Sequence, residues 1–103
     1  PIIFGDGSQI RDFIFVQDIV MANLLAMTSN VNSSLINIGT GKAMTILELA
    51  NMIIDISKIG LEPIFKKPLD GDIKKSHADI SLAIQSLNWK PKKELNEWLK
   101  EII

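Results

Sequence analysis

The stretch GDGSQIRDFIFV, residues 5–16, is the part of the sequence around which the fold is predicted to form. It opens with a tight turn, because Gly5 and Gly7 permit the positive φ angles that other residues avoid. It closes with Phe13–Val16, an apolar run of aromatic and β-branched residues that predicts a buried strand. Between the turn and this strand lies Arg11, which is the only arginine in the chain.

Arg11 has two interpretations at this stage. A guanidinium next to a glycine turn is well suited to an anion, because its planar fork can hold two phosphate oxygens at once. The alternative is a surface ion pair with Asp6 or Asp12, which would contribute little to stability. The residues alone leave both interpretations open.

Working outward from this stretch, short apolar runs alternate with helical patterns, which predicts an α/β fold with about four helices. Strands are predicted at residues 1–4, 35–38 and 61–66 in addition to Phe13–Val16. Helices are predicted at residues 18–27, from Thr45 to Ser57, at 80–87 and from Leu95 onward. Both tryptophans, Trp89 and Trp98, are predicted to be core anchors, since no basic stripe accompanies them.

Three local signals mark the faces and starts of these helices. Thr45 and Glu48 form a capping-box pattern at the start of the second helix. Asp79 is predicted to cap the third helix. In the first helix a single apolar face is predicted from the spacing of Val16, Ile19, Val20, Asn23, Leu24 and Met27.

Composition narrows the possible partners and sites. A formal net charge of −1 over 103 residues argues against nucleic acid or an anionic membrane as the main partner. The chain has no cysteine, which fits a reducing compartment and leads us to expect a cytoplasmic protein. A single histidine, His77, provides no histidine cluster for a metal and is assigned no role.

Hydropathy predicts that the sequence is part of a longer polypeptide. The chain starts on Pro1 inside an apolar run, and 47% of its residues are hydrophobic, with a mean hydropathy of +0.22. Those values are high for a small soluble domain, whose surface is normally polar or charged. We therefore expect part of the apolar surface to face a segment that residues 1–103 do not include.

Five motifs, in order, resemble one known family. They are GDGSQIRDFIFVQDIVMANLLAM from Gly5, Asn37–Gly41, Gly71-Asp72, Ala78-Asp79 and Leu87–Trp89. This series is similar to the C-terminal part of the NAD-dependent nucleotide-sugar epimerases and dehydratases, the extended short-chain dehydrogenase/reductases. Within that family the sequence looks most like the UDP-glucose 4-epimerases.

The resemblance implies a fold and an activity for the whole protein. Residues 1–103 would be the C-terminal nucleotide-sugar-binding segment of a Rossmann-type enzyme, whose N-terminal NAD-binding part is absent. The whole enzyme would remove a hydride at the sugar C4 with NAD and return it to the opposite face. It would be a homodimer, because relatives usually dimerise through helices of the N-terminal part.

The resemblance also implies three substrate-binding residues. Phe4 matches an aromatic residue near the uracil ring, Arg11 the arginine on the diphosphate, and Asp72 the aspartate on the ribose. On local grounds Asp72 is equally well explained as a residue that caps its own turn, and Phe4 as an ordinary core phenylalanine, which does not exclude a place near the base.

One position departs from the family pattern. Many relatives have Arg-Pro-Gly-Asp where this chain has Leu69 and Asp70 before Gly71-Asp72, and their arginine binds the diphosphate. A leucine makes no such contact. Lys74 or Lys75 is a candidate to compensate as a point charge.

Residues 1–103 are not expected to catalyse the reaction alone. The family uses a Tyr-x-x-x-Lys pair and a glycine-rich dinucleotide loop, and this chain has neither a tyrosine nor such a loop. No catalytic, cofactor-binding or metal-binding residue is predicted. Two alternatives to the epimerase remain: a nucleotide-sugar 4,6-dehydratase or decarboxylase of the same superfamily, and a non-catalytic protein-interaction module.

Overall fold

This computed structural model describes residues 1–103 and contains four helices and four short strands. The α/β class with about four helices is confirmed. The strands are β1 (Ile2–Phe4), β2 (Ile10–Arg11), β3 (Met44–Thr45) and β4 (Ile64–Lys66). The helices are α1 (Val16–Thr28), α2 (Ile46–Ser57), α3 (Ser81–Leu87) and α4 (Leu95–Ile102). None of the four helices combines the length and the apolar composition that a membrane-spanning helix requires.

The strands form two separate two-stranded sheets. β1 pairs with β4 in parallel, with Ile3 opposite Phe65. β2 pairs with β3 antiparallel, with Ile10 opposite Thr45. Ile10 also forms an isolated parallel bridge with Lys75, so the segment around residues 72–76 runs along the other edge of β2.

The core lies between α1, α3 and the segment that follows α3. Its buried cluster consists of Ala22, Ala83, Leu87 and Trp89. The Trp89 indole Nε1 donates a hydrogen bond of 3.0 Å to the backbone oxygen of Asp18, which confirms this tryptophan as a core anchor. Trp98 is only half-buried and stacks on Phe15, with ring centroids 5.8 Å apart.

Two predicted strands are wrong. Phe13–Phe15 belongs to no sheet and α1 begins at Val16, while residues 35–38 have no regular structure. Both runs are apolar, and Ile14, Ile36 and Ile38 pack against the core cluster. Their composition therefore signals burial correctly, but burial does not require pairing in a ladder.

The apolar face predicted for α1 lies outside the core of residues 1–103. Val16, Val20, Leu24 and Met27 are all exposed, the last with 81% of its surface accessible. The buried positions of this helix are Asp18 and Ala22. Periodicity locates an apolar stripe, whereas the neighbour that covers it is set by tertiary packing.

The N-terminus of α2 anchors the glycine turn of the opening stretch. The capping box is confirmed: the Glu48 N–H donates to Thr45 Oγ1 at 3.1 Å, and Thr45 N–H donates to the Glu48 carboxylate at 2.7 Å. The first two amides of α2 donate to the turn, from Ile46 to the Gln9 oxygen at 2.9 Å and from Leu47 to the Gly7 oxygen at 3.0 Å. A helix leaves its first amides unpaired, so this turn satisfies them.

The cap of α3 differs from the prediction by one position. Its N-cap residue is Ile80, which makes no side-chain cap. Asp79 still accepts the Ser81 N–H at 2.9 Å and the Ser81 hydroxyl at 2.6 Å. The hydrogen bond from the Ser81 hydroxyl, followed by that from its backbone amide, lowers the pKa of Asp79.

Candidate functional site

Arg11 and Asp72 form an ion pair. Arg11 Nη2 donates to Asp72 Oδ1 at 2.7 Å, and the two side chains are 26% and 31% exposed. Arg11 Nη1 donates to the Ile10 oxygen at 2.8 Å. Arg11 forms no ion pair with Asp6 or Asp12, the two surface partners considered from the sequence. A guanidinium has five N–H donors, so three of them make no hydrogen bond here.

The backbone of β2 brings these two residues together. The Ile10 N–H donates to the Lys74 oxygen at 2.8 Å, and the Ser76 N–H donates to the Ile10 oxygen at 2.9 Å. Gly71, at φ +78°, supplies the turn that precedes this pairing. Asp72 is thereby held beside Arg11, although 61 positions separate them in the sequence.

Asp72 does not cap its own turn with its side chain. Its backbone N–H closes the turn weakly, at 3.4 Å from the Leu69 oxygen. Its carboxylate is bound instead by Arg11 and by Gln9, whose Nε2 lies 2.9 Å from Asp72 Oδ2. The capping alternative therefore does not describe the side chain, and its predicted contact with a ribose stays a prediction.

Gln9 joins the third predicted site residue to this pair. Its Nε2 also donates to the backbone oxygen of Phe4, at 2.7 Å. The Phe4 side chain is 41% exposed, and nothing in the structure tests its predicted position near a nucleobase. Sequence reasoning missed Gln9, because an uncharged amide inside a turn motif gives no signal of its own.

A wide open cleft of ≈1100 Å³ lies beside Gln9 and Asp72, whereas Arg11 and Phe4 are not among the residues that line it. Gln9, Asp72 and Lys74 line it, as does Leu69, which stands where the family arginine is expected. Lys75 lies instead on a separate cleft of ≈260 Å³, together with His77. Of the two lysines suggested as substitutes for the missing arginine, only Lys74 shares the cleft with Asp72.

Asp12, which follows Arg11 in the chain, holds the backbone of Thr40, Gly41 and Ala78 by hydrogen bonds. Its carboxylate accepts the Thr40 hydroxyl, the Thr40 N–H at 2.9 Å, the Gly41 N–H at 3.0 Å and the Ala78 N–H at 3.3 Å. A Cβ on Gly39 would lie 2.7 Å from Asp12 Oδ2, so glycine is required for this close approach. Sequence reasoning considered Asp12 only as a partner for Arg11 and missed this role.

These hydrogen bonds set the ionisation of Asp12. Its burial on its own raises the pKa, because a charged group is less well solvated there. The hydrogen bonds from Thr40, Ala78 and Gly41 outweigh that effect and leave the pKa of Asp12 below its usual value. The carboxylate is thus fully charged near neutral pH. No group of three or more His, Cys, Asp or Glu side chains is placed to hold a metal ion.

A family model and individual relatives both match this chain, and both are nucleotide-sugar epimerases or related enzymes. A model described as the NAD dependent epimerase/dehydratase family matches residues 1–39. A putative UDP-glucose 4-epimerase of Methanocaldococcus jannaschii is 42% identical over 103 residues, which are 100% of this chain and 33% of that protein. UDP-glucuronic acid decarboxylase 1 of Arabidopsis thaliana is 35% identical over 98% of this chain and 23% of its own length. The chain therefore spans a third or less of these two relatives.

Solved structures show the same fold. UDP-glucose 4-epimerase from Thermotoga maritima, with UDP-glucose, superposes with a TM-score of 0.92 at 42% identity. UDP-glucuronic acid 4-epimerase from Bacillus cereus, in complex with UDP-glucuronic acid and NAD, superposes with a TM-score of 0.88 at 34% identity. Each match covers 96% of this chain and 32% of the other.

Proposed function

Because this chain belongs to the NAD-dependent epimerase/dehydratase family, as a C-terminal part, we propose that it binds the nucleotide portion of a UDP-sugar for a 4-epimerase. The observation that carries the proposal is the Arg11–Asp72 pair, of which Asp72 lines the open cleft, in a chain 42% identical to an epimerase structure with UDP-glucose. Both similar structures described above contain a UDP-sugar.

The site chemistry suits a nucleoside diphosphate. Three free N–H donors of Arg11 are available to the diphosphate oxygens, which a guanidinium holds in a bidentate manner. Each oxygen of Asp72 accepts one hydrogen bond here and retains a lone pair for a ribose hydroxyl. Lys74 adds a positive charge to the cleft, and Phe4 is proposed to lie near the base.

We propose NAD-dependent 4-epimerisation as the activity of the whole protein. The chain has no tyrosine, so the proton-transferring pair and the NAD site would lie outside residues 1–103. The Bacillus cereus structure contains NAD, which supports this cofactor. A UDP-sugar decarboxylase is the second candidate, supported by the 35% identity to the Arabidopsis enzyme. Incubating the complete gene product with UDP-glucose and with UDP-glucuronate, and identifying the products by NMR, separates the two.

We propose further that residues 1–103 pack against an N-terminal NAD-binding part. The radius of gyration is 16.2 Å, whereas a self-contained domain of this length has about 13 Å. Only 10 of the 103 residues are buried. The exposed stripe of α1 (Val16, Val20, Leu24 and Met27) provides an apolar face for that contact.

This arrangement predicts that the isolated chain self-associates. Replacing Leu24 by glutamate should shift it toward the monomer in size-exclusion chromatography, since a charge interrupts the exposed apolar stripe. Gln85→Glu is the matched control, because it adds the same charge at an exposed polar position of another helix, α3. Equal elution of the two variants would contradict a role for the stripe.

The nucleotide proposal predicts that Arg11→Ala weakens UDP binding by about 1.5–3 kcal/mol, the scale of hydrogen bonds to a charged group. The measurement is calorimetric titration of UDP into the complete gene product. Arg11→Lys should recover only part of the loss, because an ammonium lacks the planar fork.

Lys90→Ala is the control for a general loss of positive charge, since Lys90 is exposed and, unlike Arg11, forms no ion pair with Asp72. If the folded protein does not bind UDP, the proposed function is wrong. If it binds UDP with unchanged affinity after Arg11→Ala, the site is wrongly placed.

A further inference from the structure

The Gln9 amide lies between two groups of the proposed site. Nε2 donates to the Phe4 oxygen at 2.7 Å and to Asp72 Oδ2 at 2.9 Å, so both amide hydrogens are used. Rotating the amide by half a turn would place its oxygen against these two acceptors. Only the observed orientation is therefore bonded.

The surrounding backbone holds this amide in place. The Gln9 oxygen accepts the first amide of α2, from Ile46, at 2.9 Å. A Cβ on Gly5 would lie 3.2 Å from Gln9 Nε2, so the glycine leaves room for the side chain. Gln9 Oε1 is buried without a hydrogen-bond partner. The Gln9 side chain therefore leaves its own oxygen unsatisfied while Nε2 remains hydrogen-bonded to Asp72.

Both oxygens of the Asp72 carboxylate consequently accept a hydrogen bond. Arg11 holds Oδ1 and Gln9 holds Oδ2, which fixes the plane of the carboxylate. Arg11 in turn is oriented by Asp72 and by the Ile10 oxygen. We infer that Gln9 is a positioning residue of the nucleotide site: it orients Asp72 and, through Asp72, the guanidinium of Arg11. This inference rests on the proposed function.

Gln9→Met tests the inference, because methionine has a similar length and shape but no N–H donor. Calorimetric titration of UDP into the complete gene product should show affinity about tenfold weaker than for the unaltered protein. In an Asp72→Asn background the same substitution should change affinity less than twofold, because the group through which Gln9 acts is altered. A purely structural role would give the same factor in both backgrounds and would overturn the inference.

A second variant tests the positioning role of Gln9 without the Asp72→Asn background. Gln9→Glu keeps the side-chain shape but sets one carboxylate against another, so it should weaken UDP binding more than Gln9→Met does. Gln85→Met is the control, since Gln85 is exposed on α3, does not line the cleft and should leave affinity within twofold. UDP affinity unchanged in Gln9→Glu overturns the inference.

Measuring Arg11→Ala in parallel distinguishes a failure of the positioning role of Gln9 from a failure of the nucleotide site itself. If Arg11→Ala weakens UDP binding while both Gln9 variants bind normally, only the positioning role is wrong. If Arg11→Ala and the Gln9 variants all bind UDP normally, or if no protein binds it, the proposed nucleotide site itself is wrong.

Discussion

Replacing Asp12 by alanine is expected to lower the free energy of unfolding by about 3–4 kcal/mol. The substitution removes the acceptor for Thr40, Gly41 and Ala78 together, and so disconnects two loops from the residue that follows β2. A buried donor left unpaired costs about 1–3 kcal/mol, and the sum is reduced because Thr40 and Ala78 are only half-buried and Gly41 is exposed to water. Urea unfolding followed by circular dichroism measures the change.

The same residue gives an expected pH dependence. The folded-state pKa of Asp12 is lowered, so its contribution to stability is complete above the unfolded value of about 3.9 and is lost as pH falls through the folded pKa. Asp12→Asn keeps the shape but not the charge. The stability difference between the unaltered protein and Asp12→Asn should therefore shrink below about pH 4.

Other carboxylates share that acid range, which is why the difference between the two proteins is measured. Asp6 and Glu48 also have lowered pKa values, from a hydrogen bond of the Ser8 hydroxyl and of the Thr45 backbone amide respectively. Both are unchanged in Asp12→Asn and cancel in the comparison. A stability difference that stays constant from pH 7 to pH 3 would show that the Asp12 charge is unimportant.

The helices of this fold were predictable because their signals are local. The capping box of Thr45 and Glu48 lies within four consecutive residues, and the spacing of apolar residues defines α2 and α4. The strands were less predictable, since β1 pairs with β4 across about 60 positions and pairing partners leave no mark in either segment. Phe13–Phe15 and residues 35–38 are apolar for packing, and composition alone cannot distinguish that from a strand.

In the candidate site, too, the residues with a local sequence signal were predictable and the contacts between distant segments were not. Arg11 stood out as a single guanidinium beside a glycine turn, which is a property of a few adjacent residues. Its partner Asp72 and the amide of Gln9 become neighbours only through the pairing of β2 with residues 74–76. The family resemblance named Asp72 but not its contact with Arg11, whereas Asp12 and Gln9 needed the structure.

Trp89→Ala is expected to destabilise the fold by about 3–5 kcal/mol, the usual range for removing a buried tryptophan. Trp89 is 3% exposed and packs in the cluster with Ala22, Ala83 and Leu87. The cluster is small and its alanines cannot rearrange to fill the space, so a cavity would remain. Thermal and urea unfolding followed by circular dichroism give the size of the effect.

Two phenylalanine variants separate packing from hydrogen bonding at the tryptophans. Trp89→Phe retains an aromatic ring but loses the 3.0 Å bond from Nε1 to the Asp18 oxygen, and should lose at least the ~1 kcal/mol of that hydrogen bond. Trp98→Phe is the matched comparison, because the Trp98 Nε1 is buried without a partner and its removal leaves no acceptor unpaired. We therefore expect Trp98→Phe to be the milder substitution. If it destabilises the fold as much as Trp89→Phe, the bond to Asp18 does not anchor α1 to the core.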